Sequence, residues 1–320
     1  MDLEGKKYYV LAFYLFTEIL DPQEEVQKHL DFFKTREIKS RIYLSYTGIN
    51  AQMSGLKEHI EEYMNWLKLD ERFAFVDFKL HDHHEQAFPR VTVKFRKQLV
   101  ALDHNADPKR GGEHVSPSVW KKMLEEKKGD EVIVLDVRND YEWKIGHFEG
   151  ALKPELDMFR KFPEYVKQLK NAYDPIKTKV MMYCTGGIRC ELYSALMKDE
   201  GFEKVYQLDG GVIKYGLEEG EDKWKGKLFV FDDRMVIPLV EESTPLPISR
   251  CLHCETPCDV YYNCANMDCN ELFLSCPSCT EKLAGCCSSS CSCSSRLRSY
   301  ESESKQPKPF RRKHLCSNSG

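Results

Sequence analysis

Apolar and polar residues in the first third of the chain follow two different periods. A two-residue period is typical of half-buried strands, and apolar residues that recur every three or four positions are typical of helices packed on a sheet. The predicted strands are Tyr8 to Phe16, Arg41 to Tyr46, Phe73 to Leu80 and Arg90 to Phe95, and the predicted helices are Pro22 to Thr35 and Leu56 to Leu69.

The order of these elements approximates β-α-β-β-α-β with an altered last pair. Asp21 is a typical N-cap for the first helix, and the apolar residues of the second helix share one face. We therefore expect residues 1–102 to form a small ferredoxin-like α+β domain. A polar connector with the turn-forming pairs Asp107-Pro108 and Gly111-Gly112 follows at 103–114.

Two further apolar runs, Val132 to Val137 and Val180 to Tyr183, are predicted to be buried strands. The second run ends directly at Cys184, which is followed by two glycines and then by helix-compatible residues. Backbone N–H groups of such a loop can converge on the sulfur and stabilise an anion. Arg189 adds a positive charge within the same turn, so Cys184 is predicted to be a poised thiolate nucleophile.

The length of this loop narrows its chemistry. Cys184 and Arg189 enclose the four residues Thr185, Gly186, Gly187 and Ile188. Phosphatase loops of similar design have one more residue, so the shorter ring suits a sulfur-sized group better than a tetrahedral phosphate. The alternative is a buried cysteine at a strand end beside a glycine turn, but the combination of paired glycines and arginine argues against it.

Charge and hydropathy exclude some classes of protein. The formal net charge of −4 excludes a globally basic nucleic-acid binder, although it permits a local basic face. The apolar run Tyr8 to Phe16 is too short to span a bilayer, and no small-residue cleavage site follows it. We therefore expect a cytoplasmic protein without a membrane segment.

Most of the cysteines are clustered near the end of the chain. Two of the 14 lie in the Cys184 loop, and the other 12 follow Arg250. Clustered thiols in a reducing compartment are more often metal ligands than disulfides. The pairs Cys251/Cys254 and Cys276/Cys279, each with two intervening residues, predict a closed, structural zinc site. Metal binding would supply folding free energy to a segment with little apolar core.

A second zinc site is less well defined. Cys258, Cys264 and Cys269 could join one later cysteine, but their spacing does not settle the assignment. The alternative is a redox-active or loosely binding thiol tail. The aromatic residues Tyr261, Tyr262 and Phe273 could stack on nucleotide bases, although packing in a small core is the preferred interpretation. Residues 289–320 are rich in Ser and Cys and then basic, and are expected to be disordered.

One strand carries a row of positive charge. Arg90, Lys94 and Arg96 alternate with Val91, Val93 and Phe95, which predicts one cationic face and one core face. The cationic residues are candidate RNA contacts, because such a face could follow a phosphate backbone. The alternative is an ordinary solvated edge strand. The basic cluster Arg311 to His314 has the same two interpretations.

The middle of the chain resembles the rhodanese family from about Val115 to Trp224. The resemblance rests on the loop from Cys184 to Arg189, on Asp136-Val-Arg138 and Asp140-Tyr-Glu142 upstream, and on Asp209-Gly-Gly-Val212 downstream. It implies a rhodanese-like α/β domain with a parallel sheet. Together with Thr47-Gly-Ile-Asn50 in the first domain and the Cys-rich end, the whole chain resembles the bacterial rhodanese-domain tRNA uridine hydroxylases.

This resemblance implies an oxidoreductase that carries out oxygen-dependent 5-hydroxylation of the wobble uridine of tRNA. It assigns Cys184 and Arg189 as catalytic residues and Thr185 to Ile188 as the active-site loop, with molecular oxygen as cosubstrate and tRNA as partner. Cys190 is a candidate resolving residue for an oxidised Cys184, with a core thiol as the alternative. Neither a flavin or NAD fingerprint nor an iron triad is visible, so no motif explains the oxygen step.

Two other functions remain open from the sequence. A rhodanese sulfurtransferase would carry sulfur as a persulfide on Cys184, and a zinc-containing RNA-binding scaffold would use the domain without catalysis. The predicted segments are a ferredoxin-like domain (1–102), a linker (103–114), a rhodanese-like domain (115–224), a connector (225–249), a Cys-rich zinc module (250–288) and a disordered basic tail (289–320).

Overall fold

The computed structural model describes residues 7–102, 104–126, 131–154, 156 and 161–298. The chain divides into two compact units, Met1–Trp143 with Phe148–Trp224, and Lys144–His147 with Lys225–Gly320. The helices are α1 (Pro22–Phe33), α2 (Lys57–Lys68), α3 (Pro117–Glu125), α4 (Asp140–Ile145), α5 (Phe162–Ala172), α6 (Ile188–Asp199), α7 (Gly211–Glu219), α8 (Pro277–Lys282) and α9 (Ser289–Ser292). The strands are β1 (Tyr8–Phe16), β2 (Ile38–Ser45), β3 (Gly48–Leu56), β4 (Lys79–His83), β5 (Val93–Phe95), β6 (Glu113–Val115), β7 (Val132–Asp136), β8 (Gly146–Phe148), β9 (Lys179–Tyr183), β10 (Lys204–Leu208), β11 (Trp224–Gly226), β12 (Leu228–Phe229), β13 (Val236–Ile237), β14 (Tyr261–Asn263) and β15 (Leu272–Leu274).

The N-terminal part of the first unit is built on a five-stranded sheet. Its strand order is β4-β1-β3-β2-β5, with β1 antiparallel to β3 and β4, and β2 antiparallel to β3. The first four strands in this order, connected through α1 and α2, have the ferredoxin-like arrangement, which confirms the predicted α+β fold. Strand β5 is an addition that pairs parallel to β2 at the edge.

Local sequence explains the two helices of this domain. The Asp21 carboxylate accepts hydrogen bonds from the backbone N–H groups of Gln23 and Glu24, and Pro22 occupies the first turn of α1. Helix α2 buries Ile60, Tyr63 and Leu67 at helical spacing. These apolar faces pack with the sheet into one core.

Three predictions for this domain are wrong in part. Strand β3 was not predicted, although it occupies the centre of the sheet. The predicted strand from Phe73 is helical at Glu71–Phe73 and extended only from Lys79, and Phe75 is fully solvent-exposed between them. Val91 is also exposed rather than on a core face, because the regular strand begins only at Val93.

The central part of the first unit contains a four-stranded parallel sheet in the order β6-β10-β9-β7. The predicted strands Val132 to Val137 and Val180 to Tyr183 correspond to β7 and β9, and both are almost completely buried. Continuous apolar runs are expected of parallel strands covered on both faces. Val100 and Leu102, just before the connector, pack into this core.

The second unit contains two short hairpin-like pairs. Strands β12 and β13 pair antiparallel, as do β14 and β15. The expectation of disorder beyond residue 288 is wrong for 289–298, because α9 forms there and Arg298 donates to the carbonyl oxygen of Cys264. Among the described residues, no helix is long and apolar enough to cross a membrane.

Candidate active site around Cys184

The Cys184 loop connects the end of β9 to the start of α6, and Cys184 is completely buried in it. The backbone N–H of Gly187 donates a hydrogen bond to the Cys184 sulfur at 3.1 Å, and the N–H groups of Arg189 and Cys190 also point at it. Gly187 has φ of +104°, which disfavours any residue with a Cβ. The loop therefore forms the anion-binding concavity that the sequence predicts.

The environment of Cys184 favours its thiolate. Burial alone would raise the pKa of this thiol, but a hydrogen bond from the Cys190 S–H, the charge of Arg189 and the backbone N–H groups outweigh burial and lower the pKa to about 5. Burial and the neighbouring Cys184 charge raise the pKa of Cys190 well above its usual value. Cys190 therefore remains protonated and serves as the donor.

Arg189 is held in place by a buried carboxylate. Its two terminal nitrogens donate to Glu142 at 2.6 and 2.8 Å, and the Thr185 hydroxyl donates to the same carboxylate at 2.7 Å. A bidentate pair of this kind fixes orientation as well as charge. Despite the cost of burial, Arg189 keeps the pKa of Glu142 below its usual value. This pair anchors the C-terminal end of the loop to α4.

A second turn supports the loop from the other side. The N–H groups of Val212 and Ile213, at the start of α7, donate to the carbonyl oxygens of Cys184 and Thr185 at 3.0 and 3.1 Å. A Cβ on Gly211 would lie only 2.6 Å from the Cys184 carbonyl oxygen. The paired glycines after β10 are thus required for close approach of two backbones.

A buried ion pair fixes the strand end below the loop. Arg138 donates to both oxygens of Asp136, and the Tyr183 hydroxyl donates to Asp136 at 2.6 Å. All three side chains are buried, and Tyr183 directly precedes Cys184. The Asp136/Arg138 pair therefore supports the end of the strand that precedes Cys184.

The N-terminal domain contributes two side chains that sequence reasoning missed. The Lys79 ammonium group donates to the carbonyl oxygen of Gly186 at 3.0 Å, and it lies 5.1 Å from the centre of the Tyr14 ring. A Cβ on Gly187 would lie 2.7 Å from the Tyr14 hydroxyl oxygen. Lys79 is only 7% exposed, so the loop is covered by residues of another domain. Burial lowers the pKa of Lys79, against the attraction of Asp77 and of the Cys184 thiolate.

Glu191 connects Tyr14 to the central sheet. One of its oxygens accepts from the Tyr14 hydroxyl at 2.7 Å and also bonds to His114 at 3.0 Å, while the other accepts from Gln207 at 3.3 Å. The hydrogen bond to Glu191 raises the pKa of His114. Sequence gave no signal for this network, because its four members come from separate parts of the chain.

The cysteines of the second unit form two clusters. Cys251, Cys254, Cys276 and Cys279 have sulfur atoms within 4.8 Å of one another, and so do Cys264, Cys269, Cys287 and Cys291. The sulfur atoms are 3.7 Å apart in the pairs Cys254/Cys276 and Cys269/Cys287. A tetrahedral ion with metal–sulfur bonds of about 2.3 Å separates its ligands by about 3.8 Å, so both clusters could hold a metal ion.

This arrangement alters the predicted ligand set. Cys264 and Cys269 meet in one cluster as proposed, but Cys258 belongs to neither, and its pKa is raised by burial. Cys287 and Cys291 complete the second cluster instead. Tyr261, Tyr262 and Phe273 are buried, in agreement with packing rather than base stacking.

The other candidate residues lie on the surface. Arg90, Lys94 and Arg96 are exposed along the edge strand β5, and the Arg96 guanidinium lies 5.0 Å from the centre of the Tyr43 ring. They remain candidate RNA contacts. The basic cluster Arg311 to His314 lies outside the described residues.

Models of three protein families match successive parts of the chain. Residues 8–99 match the UPF0176 acylphosphatase like domain, 116–218 the Rhodanese-like domain and 225–292 the Rhodanase C-terminal family. Curated relatives match almost the whole chain. A protein named tRNA uridine(34) hydroxylase from Protochlamydia amoebophila is 54% identical over 96% of this chain and 95% of its own length. The chain belongs to the tRNA uridine(34) hydroxylase family.

Other relatives with the same name are equally similar. The tRNA uridine(34) hydroxylase of Chlamydia felis is 55% identical over 97% of this chain and 95% of its own length, and that of Chlamydia trachomatis serovar D is 54% identical over 97% and 94%. The resemblance to rhodanese-domain tRNA uridine hydroxylases is thereby confirmed. As a member of the tRNA uridine(34) hydroxylase family, the chain combines the three successive parts that the family models match.

The charge state of Cys184 can be measured directly. We expect the ultraviolet thiolate absorbance of the wild type, minus that of Cys184→Ser, to rise through pH about 5 and to be flat at neutral pH, because the thiolate is the folded-state form above its lowered pKa. Cys190→Ala removes the largest favourable hydrogen bond and should move this transition to higher pH. A midpoint near the ordinary thiol value in the wild type would contradict the geometry.

A second titration tests Lys79. Replacing it with methionine, which has similar length and no charge, is expected to raise the apparent pKa of Cys184, because a cation near the thiolate is lost. Lys79→Arg keeps the charge and should shift the transition less. Lys57, which lies in the same domain over the Tyr9 ring, is the matched control. An identical titration of Lys79→Met and wild type would show that Lys79 has no electrostatic influence on the loop.

Proposed function

We propose that this chain hydroxylates C5 of the wobble uridine of tRNA, with Cys184 as the nucleophile. The observation that carries the proposal is the low-pKa Cys184 in its loop of converging N–H groups. The chain belongs to a family whose curated relatives are named tRNA uridine(34) hydroxylase, which supports tRNA as the substrate. Because that substrate is tRNA, we also propose a cytoplasmic location.

The thiolate has a specific chemical use in this reaction. We propose that the Cys184 sulfur adds to C6 of the uracil ring, which forms a C6–S bond and moves the electron pair of the C5–C6 double bond to C5 and the O4 carbonyl. C5 is then electron-rich enough to accept an oxygen atom from an oxidant. Loss of the C5 proton and cleavage of the C6–S bond restore the double bond and the thiolate.

The overall reaction replaces C5–H by C5–OH. With molecular oxygen as cosubstrate, the second oxygen atom leaves as water, and the balance requires two electrons and two protons. We propose a thiol-class reductant as their source, since no flavin or nicotinamide fingerprint is present in the sequence. The Cys184 adduct itself requires neither group.

The neighbours of Cys184 have supporting roles in this proposal. Arg189, fixed by Glu142, holds the loop and favours negative charge on the sulfur. The N–H groups of the loop from Thr185 to Cys190 stabilise the thiolate when it leaves C6. Cys190 donates its S–H to the Cys184 sulfur, and this contact supports our proposal that Cys190 resolves an oxidised Cys184 by forming a disulfide with it.

We propose zinc as the metal of both cysteine clusters. Four thiolates with tetrahedral spacing suit zinc and leave no open coordination position, so the ions would stabilise the fold and take no part in the reaction. The second unit has only a small apolar core, built around Tyr262, Phe273 and Ala265. We also propose that the boundaries of the independent folding domains lie in the connectors 103–114 and 225–249.

Nucleoside mass spectrometry tests the function. Purified protein is incubated with tRNA from a strain that lacks its gene, in the presence of isotopically labelled oxygen gas and a thiol reductant. The proposal expects 5-hydroxyuridine carrying one labelled atom. Thiosulfate-dependent sulfur transfer without 5-hydroxyuridine would instead identify a sulfurtransferase, which the Cys184 loop would also suit. RNA binding with neither product would identify a scaffold.

A further inference from the structure

A cavity of about 770 Å³ adjoins the Cys184 loop. Three parts of the chain surround it: the end of β1 together with the turn between β2 and β3, the segment from Lys97 to Lys109 that follows β5, and the start of α6. A volume of this size is typical of ligand pockets. Thr47, which belongs to the motif Thr47-Gly-Ile-Asn50, is part of its lining.

One side chain borders both this cavity and the Cys184 loop. Tyr14 lines the cavity, and its hydroxyl lies where a Cβ on Gly187 would contact it at 2.7 Å. Glu191, which also lines the cavity, accepts the Tyr14 hydrogen bond and lies on the helix that begins at the loop. A ligand in the cavity is therefore separated from the loop by the width of one hydrogen-bonded pair.

The cavity presents aromatic rings to a ligand. Tyr46 is 54% exposed, although it is a large aromatic residue in an ordered turn between two core strands. Its ring is held edge-on by Phe95 at a centroid distance of 5.6 Å, which leaves a face available. Phe16 lines the same space and packs edge-on against Tyr14. Exposed, fixed rings of this kind stack well on unpaired nucleotide bases.

Positive charge surrounds the same opening. Lys97 and Lys109 line it, both are exposed, and neither forms an ion pair with another described residue. Lys97 lies two positions after the end of β5 and next to Arg96, so the opening continues into the exposed cationic edge of Lys94 and Arg96. Of the two acidic lining residues, Glu191 has both oxygens occupied by hydrogen bonds from the protein, whereas Glu18 is exposed. Two exposed lysines thus outnumber one exposed carboxylate around the opening, and together with Lys94 and Arg96 they favour a phosphate-bearing ligand.

We propose that this cavity binds an unpaired nucleotide of the RNA loop that contains the target uridine, with its base on Tyr46 and its phosphates on Lys97 and Lys109. The inference rests on the proposed function, because it places the loop of the substrate tRNA beside Cys184. It adds the location of substrate recognition, which lies in the N-terminal domain and the connector rather than in the rhodanese-like domain alone.

Equilibrium binding to an anticodon stem-loop RNA tests the base contact. Tyr46→Ala is expected to weaken binding by roughly tenfold, since loss of one stacked base by alanine substitution has effects of about this size. Tyr46→Phe should bind like wild type. The matched control is Phe75→Ala, because Phe75 is a fully exposed aromatic residue of the same domain outside the cavity. Unchanged binding by Tyr46→Ala, or equal losses in both alanine variants, would overturn the inference.

The salt dependence of binding tests the phosphate contacts. Lys97→Ala and Lys109→Ala should each lower the slope of log affinity against log salt by about 0.7, as expected for loss of one single-strand phosphate contact. Lys167→Ala, an exposed lysine on α5, should leave the slope unchanged. Identical slopes for the cavity variants and the control would remove the phosphate contacts from the proposal.

Hydroxylation by the wild type distinguishes failure of the cavity inference from failure of the proposed function. If wild type forms 5-hydroxyuridine but Tyr46→Ala binds and modifies RNA normally, the cavity inference fails and the proposed function stands. If wild type forms no 5-hydroxyuridine in any tRNA, the proposed function fails, and the inference fails with it as a substrate site. Thermal melting of each variant confirms that a loss of binding does not come from unfolding.

Discussion

Cys184→Ser is expected to lower 5-hydroxyuridine formation by at least about a thousandfold, because removing a catalytic nucleophile has effects of this order or larger. Serine has nearly the same shape, so the loop and its hydrogen-bond donors can be retained. Its hydroxyl is not ionised at neutral pH, whereas the Cys184 thiol is, with a pKa lowered to about 5. The variant therefore removes the nucleophile and little else.

The measurement is nucleoside mass spectrometry of tRNA from a strain that lacks the chromosomal gene for this protein and expresses either Cys184→Ser or a control variant. Cys293→Ser is the matched control, because Cys293 is an exposed free thiol outside both four-cysteine clusters of the described residues. It should restore the modification fully. Wild-type 5-hydroxyuridine levels with Cys184→Ser would sink the nucleophile hypothesis, whatever the fold or family of the chain.

The Cys184 loop could be predicted because its chemistry is local. The sulfur, the glycines and Arg189 lie within six consecutive positions, and an apolar strand directly precedes them. The structure places each of them where this pattern indicates, with Gly187 donating to the sulfur. Glu142 was recognised through the family motif, but its pairing with Arg189 became visible only in three dimensions.

The covering of the loop could not be predicted. Lys79 and Gly186 are 107 positions apart, and Tyr14 and Glu191 are 177 apart, so no periodicity or spacing links them. Sequence patterns report which face of an element is buried, but not which other domain buries it. Tyr14 and Glu191, which separate the Cys184 loop from the adjoining cavity, were for this reason absent from the predicted site.

Strand β3 was missed for a different reason, which is its composition. Its sequence from Gly48 to Leu56 contains two glycines and several small or polar residues, which weaken the signal for a strand. Tertiary contacts decide in its favour, because it lies between β1 and β2 at the centre of the sheet. A Cβ on Gly55 would lie 2.6 Å from the Glu37 carbonyl oxygen, so the unusual composition has a steric reason.

Of the two four-cysteine clusters, the sequence indicates one and not the other. The first could be predicted because its two pairs each have ligand spacing within one short segment. The second depends on Cys291, which lies in a Ser/Cys-rich stretch whose low apolar content indicates disorder. If a metal ion orders this stretch, composition alone is a poor guide to it, since the folding free energy comes from coordination rather than from burial.

Removing the metal is expected to unfold the cysteine-rich part of the second unit and leave the first unit intact. Binding free energies of structural zinc in small domains are about 10 to 16 kcal/mol, far more than the small core around Tyr262 and Phe273 can replace. In the first unit, the described residues form two large apolar cores and no cluster of four cysteines. A strong chelator should therefore make residues from about 249 onward sensitive to protease while the apolar cores of the first unit remain protected.

Metal analysis assigns the ligands. Wild type should contain two zinc ions per chain, corresponding to the two four-cysteine clusters. Cys254→Ser and Cys287→Ser should each lower this content to one, because each removes a ligand from a different cluster. Cys258→Ser is the matched control, since Cys258 is a buried thiol of the same segment that belongs to neither of the two four-cysteine clusters. Loss of an ion from Cys258→Ser, or chelator resistance of the second unit, would show that this pairing of cysteines is wrong.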